Sequence, residues 1–359
     1  MTIAISSPST PAAERLVKRI DPLFHPRWQA LVDVAEDATI FHHPAWLELL
    51  RRSYGYEISA ICVVDGEGEI AAGLPLARVE SRLTGRRLVA IPFSDVCPPL
   101  HAPNAPGSAA PALIRALGEE RAQTGLDIEI RAGMDGIPGG HPVPRFLWHR
   151  LPLEPDASAV LGRASKSQVR RGIAKARREG VVIERETGRD GLETFYRLHL
   201  RTRRRQGVPV QPKSFILAFE DLFARGLGHV LVARHEGRAV AAAVFLSHRG
   251  TLTYKYGASD ERFLDVRPNH LLFAEAIEAA CEEGFAELDF GRTDSDNAGL
   301  GAFKRSWGAR EEELAYTYVA DRVPEEGPGR ARRLMAAAIR RGPAFTGRAI
   351  GAALYRHAG

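Results

Sequence analysis

Cysteine is scarce in this 359-residue sequence: Cys62, Cys97 and Cys281 fit neither metal-ligand spacing nor a disulfide framework. They are predicted to be core residues of a protein from a reducing compartment. No stretch approaches the roughly 18 uncharged apolar residues of a membrane span. Residues 1–11 are small and polar, without the cationic start and apolar run of a signal peptide. A soluble, cytoplasmic protein is therefore expected. The motifs GxGxxG, GxxxxGKS or GxxxxGKT, HExxH and GxSxG are also missing. Dinucleotide, nucleotide-triphosphate, zinc-protease and serine-hydrolase chemistry lose their best support. The twelve histidines are scattered. Their one adjacent pair, His42-His43, points apart in any regular element and is read as structural. No metal site is expected.

What is present is a large apolar fraction, 45% of the residues, enough for two domains. A faint internal repeat supports the division. In the first half an amphipathic stretch, 44–52, precedes strands at 58–64 and 69–79 around the turn Asp65-Gly66-Glu67-Gly68. A strand at 87–92, a helix at 111–124 closed by Gly125, and a strand at 126–131 follow. The second half repeats the order: helices at 191–206 and 212–225, a hairpin of 229–234 and 239–247, a strand at 251–258, a helix at 268–283 and a strand at 286–291. Pro268 and Gly284 punctuate that last helix. Mixed sheets with helices on their faces are implied, an α/β (α+β) fold. The proline-rich stretch 138–155 sets a boundary near residue 150. Two domains, 1–150 and 151–322, are expected, with a tail at 323–359.

Charge is unevenly spread. Residues 163–205 hold 14 lysines and arginines against five acids, which suits phosphate-bearing partners such as nucleotide, tRNA or a lipid headgroup. Within it, 165–180 reads as a basic helix closed by Gly180. The tail interleaves Arg330, Arg332, Arg333, Arg340, Arg341, Arg348 and Arg356 with Leu334, Ile339, Phe345, Ile350 and Leu354, and holds no acid after Glu326. Such a segment lies on an anionic membrane or docks its apolar side on the protein.

The densest polar cluster follows the last predicted strand: Asp289-Phe290-Gly291-Arg292-Thr293-Asp294-Ser295-Asp296-Asn297, then Gly299 to Gly308. A strand emptying into such residues either builds a pocket at the carboxyl end of a sheet or is an ordinary polar loop. Lys304, between Phe303 and Trp307, is the candidate for stabilising a developing negative charge. Asp289, Asp294 and His270 are candidate general bases.

Four stretches resemble the Fem-like transferases of the GNAT superfamily (FemA, FemB and FemX type, with acetyltransferase-like members found beside exopolysaccharide genes). They are 166–176 ending in Gly180, Thr202-Arg203-Arg204-Arg205-Gln206-Gly207, Tyr254-Lys255-Tyr256-Gly257, and Asp289-Phe290-Gly291 continuing to Phe303-Lys304-Arg305-Ser306-Trp307-Gly308. Pro92-Phe93-Ser94-Asp95 is similar as well. The resemblance implies two tandem GNAT-like domains and transfer of an aminoacyl or acyl group to an amine of a cell-envelope precursor such as peptidoglycan. It implies that Lys304 stabilises the transition state, that Arg170 and Arg203 contact phosphate or acceptor, and that Tyr254 or Tyr256 lines the cleft. Arg292, Phe303 and Trp307 join them as substrate-binding candidates, and Asp289 joins Lys304 as catalytic. No bound cofactor is implied. The donor is aminoacyl-tRNA or acyl-CoA. The turn Asp265-Val266-Arg267-Pro268 lacks the glycines with which CoA-binding domains hold pyrophosphate. Two other functions remain open: an acyl-CoA-dependent N-acyltransferase, and a non-catalytic RNA-binding or scaffold protein.

Overall fold

The structure, a computed structural model, describes residues 16–81, 85–324, 329–343 and 345–357. The polar segment 1–11 lies outside the described residues, as do the side chains of Arg330, Arg332 and Arg356.

The first half runs β1 (Leu16–Ile20), α1 (Pro26–Val34), α2 (Pro44–Tyr54), β2 (Glu57–Val64), β3 (Ile70–Ser81) and β4 (Gly85–Val89). It continues with β5 (Leu100–His101), α3 (Ala109–Thr124), β6 (Asp127–Ile130) and β7 (Gly140–Pro152). The second half opens with α4 (Ala157–Gly162), α5 (Arg171–Arg178), β8 (Val182–Glu186), α6 (Arg189–Gln206), α7 (Lys213–Leu217) and α8 (Phe219–Phe223). Then come β9 (Gly228–His235), β10 (Arg238–His248), β11 (Thr251–Ser259), α9 (Pro268–Glu282), β12 (Glu287–Asp294), α10 (Ala298–Ser306) and β13 (Arg310–Val319). The tail is α11 (Gly329–Arg341) and α12 (Thr346–Leu354).

The expected hairpins, β2–β3 and β9–β10, form, each followed by a strand, a helix and a parallel strand. The halves share one sheet of order β1-β2-β3-β4-β6-β13-β7-β12-β11-β10-β9-β8. They also exchange their last strands. β7 leaves the first half to pair with β12, while β13 returns from the second half to pair with β6. One apolar core joins the halves on one face, where Trp46 of α2 meets Phe215 and Phe219 edge-on. A second core lies on the other face under α5 and α9.

Three sequence readings are corrected. The proline-rich stretch 138–155, read only as marking a boundary near residue 150, is largely a strand, since 13 of its residues are β7. Its prolines are tolerated because residues 140–145 pair with β13 alone, so the missing N–H of Pro142 and Pro144 costs no bond on the unpaired side. The polar loop after β12 contains α10, whose Asn297 cap accepts from the Leu300 amide at 3.2 Å. Gly299 and Gly301, poor helix formers, hide it from a periodicity reading. The region 212–225 is two short helices, not one.

The tail docks on the protein. Ile339 is buried, Gly347 and Gly351 abut Val210, and Arg340 donates to the Gln206 carbonyl at 3.2 Å. Gly351 has no room for a side chain: a Cβ would fall 1.9 Å from the Val210 oxygen.

Candidate active site

β11 and β12 run parallel over Thr251–Thr253 and Glu287–Asp289, then part. The opening is a cleft of about 390 Å³ lined by Phe93, Asp95, Arg203, Tyr254, Lys255, Tyr256, Arg292 and Asp294, among others. One wall comes from the first half, the loop after β4. There Ile91 and Phe93 hold φ of 53° and 62°. This left-handed region is unfavourable for an isoleucine above all, and strain of that kind concentrates at functional sites.

The opposite wall depends on a bulge in β11. Val244 pairs with Tyr256 and Phe245 with Tyr254, which leaves Lys255 unpaired between them. Tyr254 and Tyr256, two residues apart, would share a face in a regular strand. Instead Tyr254 packs on Phe273 in the α9 core, while Tyr256 packs on Phe195 and Phe219 in the opposite one. Both still reach the cleft.

Lys255 is directed into the first half, where its ammonium lies 4.8 Å from the Phe41 ring centroid and 5.8 Å from that of Trp46. It donates to the Phe93 carbonyl at 2.6 Å and to Asp95 Oδ2 at 3.2 Å. Arg292 approaches the other carboxylate oxygen at 3.8 Å and donates to the Tyr316 hydroxyl, which donates in turn to the Asp95 carbonyl. Burial alone would raise the Asp95 pKa. Lys255 and Arg292 outweigh it and hold the carboxyl below its usual range, with Lys304 adding to the effect. Asp95 is an anionic hub between two cations from the other half.

Asp289 has the opposite environment. It sits where the two strands part, 6% exposed, and its Oδ1 accepts from Trp148 Nε1 at 2.8 Å and from the Gly291 amide at 2.7 Å. Burial dominates and pushes its pKa up to about 6. Two nearby carboxylates with pKa values driven apart are a common acid–base arrangement. Gly291 lies between them at φ 69°, and a Cβ there would come within 3.2 Å of Asp95 Oδ2.

Lys304, on α10, is 2% exposed behind the β12 bulge. It donates to the carbonyls of Gly291 and Arg292 at 2.8 and 3.0 Å, using two of its three N–H bonds. Burial lowers its pKa to about 8, against the pull of Asp95, Asp289 and Asp294.

Of the residues singled out in the sequence, Arg203, Tyr254, Tyr256, Arg292 and Asp294 line the cleft, while Lys304 and Asp289 are buried behind the lining, both bonded to the Gly291 backbone. Phe303 and His270 instead line a second pocket of about 560 Å³ near the start of α9, with Arg171, Lys175 and Arg267. Trp307 is a core residue packed on Phe273. Arg170 is exposed and lines neither pocket. His42 and His43 cap the ends of their elements. The tail also reaches the cleft wall, because Tyr355 packs its ring 5.9 Å from that of Phe93.

Asp95 and Lys255 were missed as individual residues, although both stand in stretches that resemble the Fem-like proteins. For Lys255 a signal existed: it is the one charge within Thr251–Ser259, beside Leu252, Tyr254, Tyr256 and Ala258.

Residues 163–305 match the family model of the acetyltransferase (GNAT) domain. A lipid II:glycine glycyltransferase of Staphylococcus haemolyticus is 34% identical over 102 residues, which cover 26% of this chain and 22% of that relative. Its Staphylococcus aureus counterpart is 33% identical over 96 residues, covering 25% and 21%. The match thus spans about a fifth of the length of these curated relatives. Among solved structures, FemX superposes with a TM-score of 0.67 at 17% identity, over 90% of this chain and 100% of that one. The C-terminal domain of a putative lysylphosphatidylglycerol synthetase from Agrobacterium fabrum gives 0.53 at 13%, over 87% and 94%. The fold is tandem and GNAT-like.

Proposed function

We propose that this chain, whose residues 163–305 match the acetyltransferase (GNAT) domain, is a Fem-like member of the GNAT superfamily and transfers an acyl or aminoacyl group to an amine of a cell-envelope precursor. The observation that carries this reading is the cleft where β11 and β12 part, with cations from one half anchored on Asp95 of the other. An amine attacking an ester or thioester carbonyl needs positioning, loss of a proton and stabilisation of the oxyanion. Arg203, Tyr254 and Tyr256 line the space for the reactants. Asp95 attracts the acceptor amine and holds Lys255 and Arg292 in place. The C–N bond forms as the bond to the tRNA oxygen or thiol sulfur breaks. Asp289 accepts the amine proton, for which a pKa near neutrality suits it, and returns it to the departing oxygen or sulfur. Arg292 and the remaining N–H of Lys304 meet the oxyanion.

Aminoacyl-tRNA is the donor we favour, because the curated relatives are glycyltransferases. The second reading, acyl-CoA, draws on Arg171, Lys175 and Arg267 around the pocket at the start of α9, a fitting place for phosphates. A lipid-linked acceptor would place the work at the inner face of a membrane. No described helix is long and apolar enough to cross one.

Equilibrium binding of radiolabelled aminoacyl-tRNA, with acyl-CoA thioesters as competitors, separates the donors. Saturable binding that no thioester displaces supports the tRNA ester, and displacement by one thioester supports the CoA enzyme. Binding of neither sinks the transferase reading. Asp289→Asn, which preserves the shape and the acceptor oxygen for Trp148 and Gly291, is expected to keep the fold and lose transfer by about 100-fold. The limb of the wild-type pH–rate profile near pH 6 should vanish with it. A variant that keeps full activity removes Asp289 from the mechanism.

A further inference from the structure

The arginine run of α6 is divided by helical phase. Arg203 and Gln206, three apart, face the cleft, and Thr202 points inward to the Ser259 backbone. Arg201, Arg204 and Arg205 face away, into a separate open pocket of about 610 Å³. Arg262 and, from the tail, Arg340 complete it, so five guanidinium groups meet two acids, Asp260 and Glu261.

The pocket is organised before anything binds. Asp260, 3% exposed, accepts from Arg201 and from Arg262 on one oxygen, each at 2.6 Å. Arg204 donates to the Gly342 carbonyl at 3.0 Å and Arg340 to that of Gln206, which ties both to the junction of α6 and the tail. Five guanidinium groups against two carboxylates leave an excess of three positive charges around one cavity, which a bound anion would offset. Arginine's fork also matches phosphate oxygens.

The surroundings select the source of that phosphate. Leu334 on α11 is 73% exposed and Phe345, just after it, 60%, and Leu264 beside Arg262 is exposed as well. Arg333, Arg341 and Arg348 are exposed along the same tail, which has no acid after Glu326. Apolar side chains among arginines suit a lipid–water interface, where the apolar groups enter the acyl boundary and the cations meet phosphates. RNA would leave those apolar groups unused.

The geometry points to a headgroup site: the pocket between α6, Asp260–Arg262 and α11 binds the phosphate of an anionic phospholipid and docks the tail on a bilayer. The inference deepens the membrane part of the proposed function and rests on it only for the lipid-linked acceptor. Its test uses neither donor nor acceptor, so it can fail while the transfer reading stands, and the reverse.

The experiment is co-sedimentation of the full chain with vesicles of mixed phosphatidylglycerol and phosphatidylcholine, or of phosphatidylcholine alone. Wild type is expected to partition onto the anionic vesicles only. Arg205→Gln with Arg262→Gln should weaken partitioning about 30-fold, from about 1 kcal/mol for each cation removed. The lysine pair at the same positions should retain most of it. Leu334→Ser with Phe345→Ser should weaken it about tenfold while leaving the arginines intact. Equal partitioning of wild type and the glutamine pair overturns the site. So does titratable binding of inorganic phosphate without vesicle binding, which assigns the pocket to a soluble phosphate. Retention on an RNA homopolymer with no vesicle binding makes it a nucleic-acid site and overturns the proposal too.

Discussion

Asp95→Asn should reduce transfer by about 10²–10³-fold, the scale of losing one aligned charge-stabilising donor, because Arg292 loses the carboxylate that orients it. It should also destabilise the fold by about 3 kcal/mol, since removing one member of a buried ion pair leaves the other unpaired. That second loss falls mainly on Lys255, whose ammonium keeps the Phe93 carbonyl but has no remaining counter-ion among its hydrogen-bond partners. The two losses are separable. Asp95→Asn with Lys255→Met removes the stranded charge and leaves an apolar chain beside Phe41 and Trp46. The pair should regain most of the stability in denaturant melts, yet remain inactive in single-turnover transfer. If activity returns together with stability, Asp95 supports the fold alone and the assigned role fails.

That pair also shows where sequence reasoning stops. Elements with strong punctuation were legible: α3 ends at Gly125, α9 starts at Pro268, and the hairpin turn at Glu236-Gly237 takes positive φ at both residues. Contacts across the halves were not. Asp95 and Lys255 are 160 positions apart, and only the shared sheet brings them together. β13 was hidden because it opens with Arg310-Glu311-Glu312-Glu313, four exposed charges without alternation. β7 was hidden by prolines that are harmless only on a half-paired strand. The separation of Tyr254 from Tyr256 depends on one bulge, which shifts the side-chain period without altering composition. Lys304 was legible as a residue, but the company it keeps was not. The sequence suggests an ammonium among aromatic neighbours, whereas the structure places it on two backbone carbonyls.

Those carbonyls make Lys304→Met a test of both its roles. Burial lowers the Lys304 pKa from 10.5 to about 8. Between those values the unfolded chain holds a proton that the folded chain does not, so folding stability rises with pH across that window. At pH 7 the folded protein bears the full cost of burying the charge, about 3 kcal/mol at 1.36 kcal/mol for each pKa unit. Methionine fills similar space without charge, relieving that cost but leaving the Gly291 and Arg292 carbonyls without their donor, at about 1–3 kcal/mol each. Wild type and variant should therefore be of similar stability at pH 7. The difference should grow by about 3 kcal/mol in favour of wild type by pH 10.5. Urea melts across this range measure it, and parallel curves would mean that Lys304 is not the group that titrates. Transfer should behave differently, falling about 10²–10³-fold even at pH 7, where both proteins are folded. Wild-type activity should decline above pH 8 as the ammonium is lost, and the residual activity of the variant should show no such limb. A variant active at pH 7 would leave Lys304 as a brace for the β12 bulge and place oxyanion stabilisation on Arg292 alone.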